Sequence, residues 1–314
     1  AGKITKIFIT HLHGDHFFGL PGLLCTISLQ SSADTSPRPP VEIYGPLGLG
    51  NFIRRSLELS HSQLLFPYVV HELVPTSDQC PAEEFKDFSS LAQPEAAPPG
   101  AQGRRIHLDP EEDSYLLLED EQLVVKGFRL FHRIPSFGFV VEEKARTGRL
   151  NVQKLQELGI PAGPLYGKLK TGSTITLENG LRVSPSDVLH HPIPGRKICI
   201  LGDCSGIVGN AAVSLCFGAD ILIHEATLDD SQEEKAREHG HSTPKTAAGF
   251  AELCRVKRLV LNHFSQRYKP VALRASQGDA TVATLLKAQA QEVFRGGDVT
   301  LAEDFLTIVI PMKK

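Results

Sequence analysis

Apolar residues come along this chain in short runs, and the spacing within each run predicts what it forms. Ile4, Ile7, Phe8 and Ile9, with the β-branched Thr10, make a strand that stops at a polar cluster, HLHGDH. Helical spacing follows over residues 20–29, then the loop-forming SSADTSPRPP over 31–40. VEIYGP is a strand closed by Gly45 and Pro46, and Leu49, Phe52, Ile53 and Leu57 recur at the period of a helix. Residues 76–113, with their prolines and the weakly patterned QPEAAPPGAQG, are expected to form an exposed insertion. Further strands are predicted at Tyr115–Glu119, Leu123–Phe131, Lys197–Leu201, 221–223, 259–261 and 306–310, and helices at 210–216, 244–254 and 280–294. This mixture implies an α/β fold of layered sheets with helices outside. No internal repeat appears at the periods of solenoids or propellers.

Composition narrows the class. With 314 residues, 41% hydrophobic and 22% charged, the chain can bury a sizeable core and is not disordered as a whole. A net charge of −3 means that a nucleic-acid partner has to be gripped by a local basic patch rather than by the whole surface. Cys25, Cys80, Cys199, Cys204, Cys216 and Cys254 form no CxxC pair, which argues against a zinc knuckle or a dense disulfide framework and for an intracellular chain. The longest apolar stretch, 17–29, is broken by Gly19, Pro21 and Gly22 and falls short of a membrane span, so no membrane partner and no signal peptide are expected.

Chemistry gathers where strands end. KIFIT runs into His11, His13, Asp15 and His16, FRLF into His132, ICILG into Asp203, and LVLN into His263. Ligands at strand ends are rigidly held and open to solvent on one side, as a catalytic metal needs. His11 and His13 are two apart and project to one side of an extended segment, Gly14 lets the chain turn, and Asp15 and His16 then face a second ion. A His/Asp mixture suits zinc or a similar borderline divalent metal rather than calcium. The expected assignment is one ion on His11, His13, His132 and Asp203 and another on Asp15, His16, His263 and Asp203, with the Asp203 carboxylate as bridge. His61, His71, His107 and His239 are taken as ordinary surface or core residues, and His190 and His191, before Pro192, as solvated.

HLHGDH followed by distant His, Asp and His resembles the metallo-β-lactamase superfamily. HEAT at His224 to Thr227, HST at His241 to Thr243, HFSQRY at His263 to Tyr268 and GIPAGPLYGKLKTG at Gly159 to Gly172 narrow the resemblance to the short form of tRNase Z, the tRNA 3′-processing endonucleases. It covers the chain from Lys3 to Asp304. The resemblance implies an αββα sandwich forming a single domain over 1–314, with a protruding Gly/Pro-rich basic arm inserted at 144–172. It also implies an N-terminal stretch, with a glycine-rich turn and an FDxGEGTQ element supporting the zinc ligands, that this sequence does not contain, so the sandwich is expected to be N-terminally truncated.

The activity it implies is zinc-dependent endonucleolytic removal of the 3′ trailer from precursor tRNA. A hydroxide bridging two zinc ions attacks phosphorus, leaving a 3′-hydroxyl on the tRNA and a 5′-phosphate on the trailer; manganese is a possible substitute metal. Asp15 can orient or deprotonate the nucleophile while remaining a ligand. His241 is the candidate acid for the leaving 3′-oxygen, with Glu225 raising its basicity, unless that pair simply supports a metal ligand. The arm carries Lys144, Arg146, Arg149, Lys154, Lys168 and Lys170 against the single acid Glu157, a local reversal of sign that suits a polyanion, although a solvated basic loop would show the same charges. Arg267 and Tyr268 are candidates for RNA contact near the scissile bond, and Arg267 could equally pair with a carboxylate. The resemblance further implies a homodimer in which one subunit's arm serves the other's site, and a cytoplasmic or nuclear location. Two other readings use the same residues: a small-molecule phosphodiester or thioester hydrolase of this fold, and an inactive RNA-binding or dimerisation partner.

Overall fold

Burial along VEIYGP explains the layering. Val41 and Ile43 point into one apolar cluster and Tyr44 into another, so this strand is covered on both faces. The computed structural model describes residues 3–31, 39–91, 102–268 and 282–313. In it β1 (Lys6–Phe8), β2 (Val41–Pro46), β3 (Tyr68–Leu73) and β4 (Gln102–Ile106) form a parallel sheet in that order. Parallel neighbours need crossovers. These are supplied by α1 (Gly14–Phe17) and α2 (Leu20–Ser31), by α3 (Leu49–Leu59) and by the segment holding α4 (Ala82–Leu91). Leu20, Leu24 and Ile27 of α2 and Leu49, Ile53 and Leu57 of α3 seal the outer face of this sheet against Val41, Ile43 and Val70. Each such side chain, fully withdrawn from water, contributes about 1.5–3 kcal/mol.

The second sheet begins as an antiparallel meander of β5 (Tyr115–Glu119), β6 (Leu123–Phe131) and β7 (Ser136–Glu143). The chain then leaves the sandwich through α5 (Val152–Glu157), α6 (Pro164–Lys170), β8 (Ile175–Thr176), β9 (Arg182–Val183) and α7 (Pro185–Val188). It returns to add β10 (Lys197–Leu201), β11 (Gly206–Ile207), α8 (Ala211–Cys216), β12 (Ile221–Glu225), α9 (Glu233–Glu238), α10 (Pro244–Leu253), β13 (Arg258–Asn262), α11 (Val282–Val293) and β14 (Asp298–Leu301). The strand order is β11-β6-β7-β10-β12-β13-β14, with β5 beside β6. Tyr44, Leu73 and Ile106 from the first sheet meet Leu117, Val125, Phe137 and Phe139 from the second, while residues of α8, α10 and α11 cover its outer face. The layers are therefore helix, sheet, sheet, helix, as expected.

Two expectations need correction. Residues 306–310 form no strand: β14 already occupies the edge of β13, and Leu306 and Val309 find no face to bury them. The stretch 76–113 is not simply an exposed insertion, since Gln79 and Cys80 are buried and β4 pairs with β3. The Gln79 amide spans the layers, donating to the Ser136 carbonyl and accepting from the Thr76 amide. Residues 92–101 of that stretch, 32–38 of the predicted loop, and 280–281 of the predicted last helix lie outside the described residues.

Candidate metal centre

Each candidate ligand follows the end of a strand, with Asp15 and His16 on the short helix α1 that comes after β1. Thr10 ties the first sheet to the second, its carbonyl accepting from the Phe137 amide at 3.0 Å, and His11 follows it into the gap between the sheets. His132 follows β6, Asp203 lies two residues past β10, and His263 follows β13 with φ of 56°, a left-handed backbone that aims its ring back over the sheet edge. Gly202 leaves room where the chains cross, since a Cβ there would come within 2.6 Å of the Thr10 Cβ.

The rings close around two volumes that share one carboxylate. One group is His11, His13 and His132, another is Asp15, His16 and His263, and Asp203 groups with both His11 and His16; within each group the ligand atoms lie within 4.8 Å of one another. Asp203 Oδ2 is 3.3 Å from His16 Nε2, 3.3 Å from His263 Nε2 and 3.6 Å from His11 Nε2. Asp15, whose side chain is 70% exposed, reaches His16 at 3.5 Å and His263 at 3.7 Å.

Protonation follows from the partners. The Nδ1 of His132 lies 2.6 Å from the Gly240 carbonyl, which can only accept, so Nδ1 carries the proton and Nε2 presents a lone pair. That Nε2 is 3.0 Å from His13 Nδ1, the spacing of two donors to one cation rather than of a donor and a filled partner. On the far side, Glu225 orders two imidazoles at once. It is buried; its Oε1 accepts from His241 Nδ1 at 3.0 Å and from the Ser242 amide at 3.0 Å, while Oε2 accepts from the Thr227 hydroxyl at 2.7 Å. With its proton given to Glu225, the Thr227 oxygen accepts from His263 Nδ1 at 2.9 Å, which turns His263 Nε2 toward Asp203.

Burial, reinforced by neighbouring imidazoles, drives His11 down to about 2 and His132 down to about 4, so both stay neutral. His13 is lowered by burial and by the charge of Arg133. Burial also penalises charge on His16 and His241, but the Asp203 carboxylate for His16 and the Glu225 carboxylate for His241 outweigh it, and both end above the ordinary histidine value. Asp203 is desolvated yet held well below the usual carboxylate range by His16, His263 and His11.

The residues fit a divalent metal. His11 Nε2 and His16 Nε2 are buried without a hydrogen-bond partner, a cost that a cation accepting those lone pairs removes, and neutral imidazoles with carboxylates are a zinc-class donor set.

No family model matches the chain. Over 314 residues it is 67% identical to the human zinc phosphodiesterase ELAC protein 1, covering the whole chain and 86% of that protein. It is 37% identical over 311 residues to a ribonuclease Z of Synechocystis, covering 99% of the chain and 79% of that protein. The chain belongs to the ribonuclease Z family. Its structure superposes on the crystal structure of human tRNase Z, short form, with a TM-score of 0.64 and 51% identity, over 99% of this chain and 81% of that one. A yeast long-form RNase Z shares the fold, at a TM-score of 0.52 and 17% identity over 96% of this chain and 32% of that one. The αββα layers are those of the metallo-β-lactamase fold.

The remaining sequence-predicted residues divide by location. The arm has a core of its own, with Leu155, Ile160, Leu169, Ile175, Val183 and Val188 buried together, and bridges Arg146 to Ile193 and Leu150 to Leu189 at its root. It therefore continues past residue 172, because the return leg completes that core. Lys144 pairs with Glu119 at 2.9 Å and Arg146 donates to the Lys313 carbonyl, whereas Arg149, Lys154, Lys168 and Lys170 are exposed. Arg267 donates to Gln232, not to a carboxylate, at 2.7 Å. The Tyr268 hydroxyl donates to Asp229 Oδ2 at 2.7 Å and accepts from the Asp229 amide, so in this state it braces a loop. His190 and His191 are exposed. The supporting contacts of Thr10, Gln79, Thr227 and Gly240 are not evident from the sequence; of the four, Thr227, within HEAT, and Gly240, next to HST, carry a visible signal.

Proposed function

We propose that this chain is a zinc-dependent endoribonuclease that removes the 3′ trailer from precursor tRNA, leaving a tRNA 3′-hydroxyl and a trailer 5′-phosphate. The observation that carries it is the convergence of His11, His13, His132, Asp15, His16 and His263 around Asp203. Relatives named zinc phosphodiesterase and ribonuclease Z support the substrate class. His11, His13, His132 and Asp203 would hold one zinc ion and Asp15, His16, His263 and Asp203 the other; bound there, the ions supply a lowered pKa for water and positive charge beside the phosphoryl oxygens. Manganese, which accepts the same imidazole and carboxylate donors, can replace zinc in this set.

The chain's own groups do the rest. Asp15, exposed at the mouth of the site, orients the attacking water. His241 is not needed to complete either ligand set, and with Nδ1 fixed on Glu225 its opposite nitrogen, Nε2, is the proton donor to the leaving 3′-oxygen. The Glu225 carboxylate, outweighing burial, holds that proton to a higher pH than an ordinary histidine would. The exposed Arg149, Lys154, Lys168 and Lys170 hold the tRNA body by its phosphates, away from the cut, and Lys144 and Arg146 fix the arm's root. Arg267 and Tyr268 lie on the loop after His263 and meet the RNA beside the scissile bond. The arm argues against a small-molecule substrate, which would not need it.

The active form is a homodimer. α2 carries apolar side chains on its outer face as well as its inner one: Leu24 and Ile27 are buried, yet Leu23 and Leu29 are exposed, and Gly22 has open space above it. A precursor-tRNA substrate places the enzyme in the nucleus, the cytoplasm or both. Purified protein with added zinc should cut a precursor tRNA once, just 3′ of the acceptor stem, and deleting residues 144–193 should collapse this while cleavage of bis-nitrophenyl phosphate survives. Equal losses on both substrates would refute the arm's role, and absence of cleavage by the intact zinc-loaded protein would refute the function.

A further inference from the structure

Phe18 follows the ligand loop by two residues and is 65% exposed, while its neighbour Phe17 is buried. It is not loose. A Cβ on Gly14 would overlap the Phe18 ring, so the ring presses on the backbone between His13 and Asp15. Phe52 stacks with it at 5.8 Å between centroids and 20° between planes, and Phe17 abuts it at 4.9 Å while itself packing on Phe52 at 4.4 Å. The fold thus orients an aromatic ring from several sides, leaves most of it in water, and does so at the rim of the metal centre. The requirement on Gly14 is consequently steric. Gly14 is absent from the positions with positive φ, so backbone freedom does not explain a glycine there.

An exposed apolar ring forfeits burial that a core position would give it, and a pre-ordered ring loses little entropy when a second flat group stacks on it. Every phosphodiester in RNA has a base on each flanking nucleotide, and stacking on aromatic side chains tolerates any base. We propose that Phe18 is the stacking platform for a nucleobase adjoining the scissile phosphate, a positioning residue that sets the phosphodiester over the ligands. This rests on the RNA-cleaving reading above.

The test is a cycle of two changes measured as kcat/KM on precursor tRNA. Phe18→Leu should lower it about 5- to 150-fold, the range that base–aromatic stacking supports. An abasic nucleotide on one side of the cleavage site should cost the wild type a similar factor and cost Phe18→Leu nothing further. Phe18→Trp should retain wild-type rates with the normal substrate and keep the abasic penalty. Zinc content and sedimentation of each variant accompany the kinetics. Multiplying penalties at both flanking nucleotides, or dissociation of a dimer by Phe18→Leu, would overturn the platform and assign the ring to support or to the subunit interface. Wild-type protein that cuts no precursor tRNA would instead remove the reading on which the platform rests.

Discussion

Gly240→Ala isolates the support of the metal centre from the ligands themselves. Gly240 has φ of 78°, and a Cβ there would lie 2.6 Å from His132 Nδ1 and 3.2 Å from the Arg133 amide. The left-handed backbone alone costs an alanine about 1–2 kcal/mol. The methyl also forces the carbonyl and the imidazole apart, breaking the 2.6 Å hydrogen bond that holds His132 in its ligating tautomer. Loss of such an orienting partner weakens metal binding about 10- to 100-fold, or about 1.4–2.8 kcal/mol. Competition against a zinc chelator at fixed pH reads this directly. Gly159→Ala is the control: φ is 68° and no atom lies within 4 Å of the added Cβ, so it pays the backbone cost in the arm without touching the centre. Gly240→Ala is expected to weaken the ion held by the His11, His13 and His132 set and Gly159→Ala to leave both affinities intact. Wild-type zinc affinity in Gly240→Ala, or equal losses in the two variants, would refute the reasoning.

Other consequences can be checked in the same protein. Asp203→Ala should abolish turnover and lower bound zinc per chain, as metal analysis and precursor cleavage will show. His241→Ala should slow cleavage about 10²- to 10⁴-fold with zinc retained, the range of a lost general acid; loss of zinc would make it a ligand instead. Because His241 is held above its ordinary value chiefly against burial by Glu225, activity should fall as pH rises through that raised pKa, and Glu225→Gln should move the alkaline limb of the rate profile downward. Leu169→Ala opens a cavity in the arm core and should cost that unit about 2–5 kcal/mol, seen as local amide exchange and lost precursor cleavage with reporter hydrolysis kept. In metal-free protein, His11 and His132 bind fewer protons folded than unfolded, so below pH 6.5 stability should fall, by up to about 1.4 kcal/mol per pH unit for each; a melting temperature unchanged between pH 7 and pH 5 would contradict this.

The candidate ligands are legible because strand periodicity and chemistry coincide: an apolar run that ends in His or Asp announces both the strand and its edge. His132, Asp203 and His263 stand out that way in the sequence, and the structure brings them together with HLHGDH. What stayed hidden depends on partners far away in sequence. Gly240 matters only because His132 lies beneath it, and Gln79 only because its amide meets the Ser136 carbonyl. β4 was missed since QGRRI lacks alternation and becomes a strand by pairing with β3. The error at 306–310 is the converse, an apolar pattern with no face left to cover. Likewise the arm's basic stretch was visible in its charges, but its full extent was not, because Val183 and Val188 join Leu155 and Leu169 only in three dimensions.

Diffraction from zinc-loaded crystals, recorded on either side of the zinc absorption edge, places the ions without reference to activity. Two anomalous peaks per chain are expected, one enclosed by His11, His13 and His132 and one by Asp15, His16 and His263, with Asp203 touching both. A single peak, or peaks that leave His132 or His263 uncoordinated, would contradict the shared-carboxylate centre.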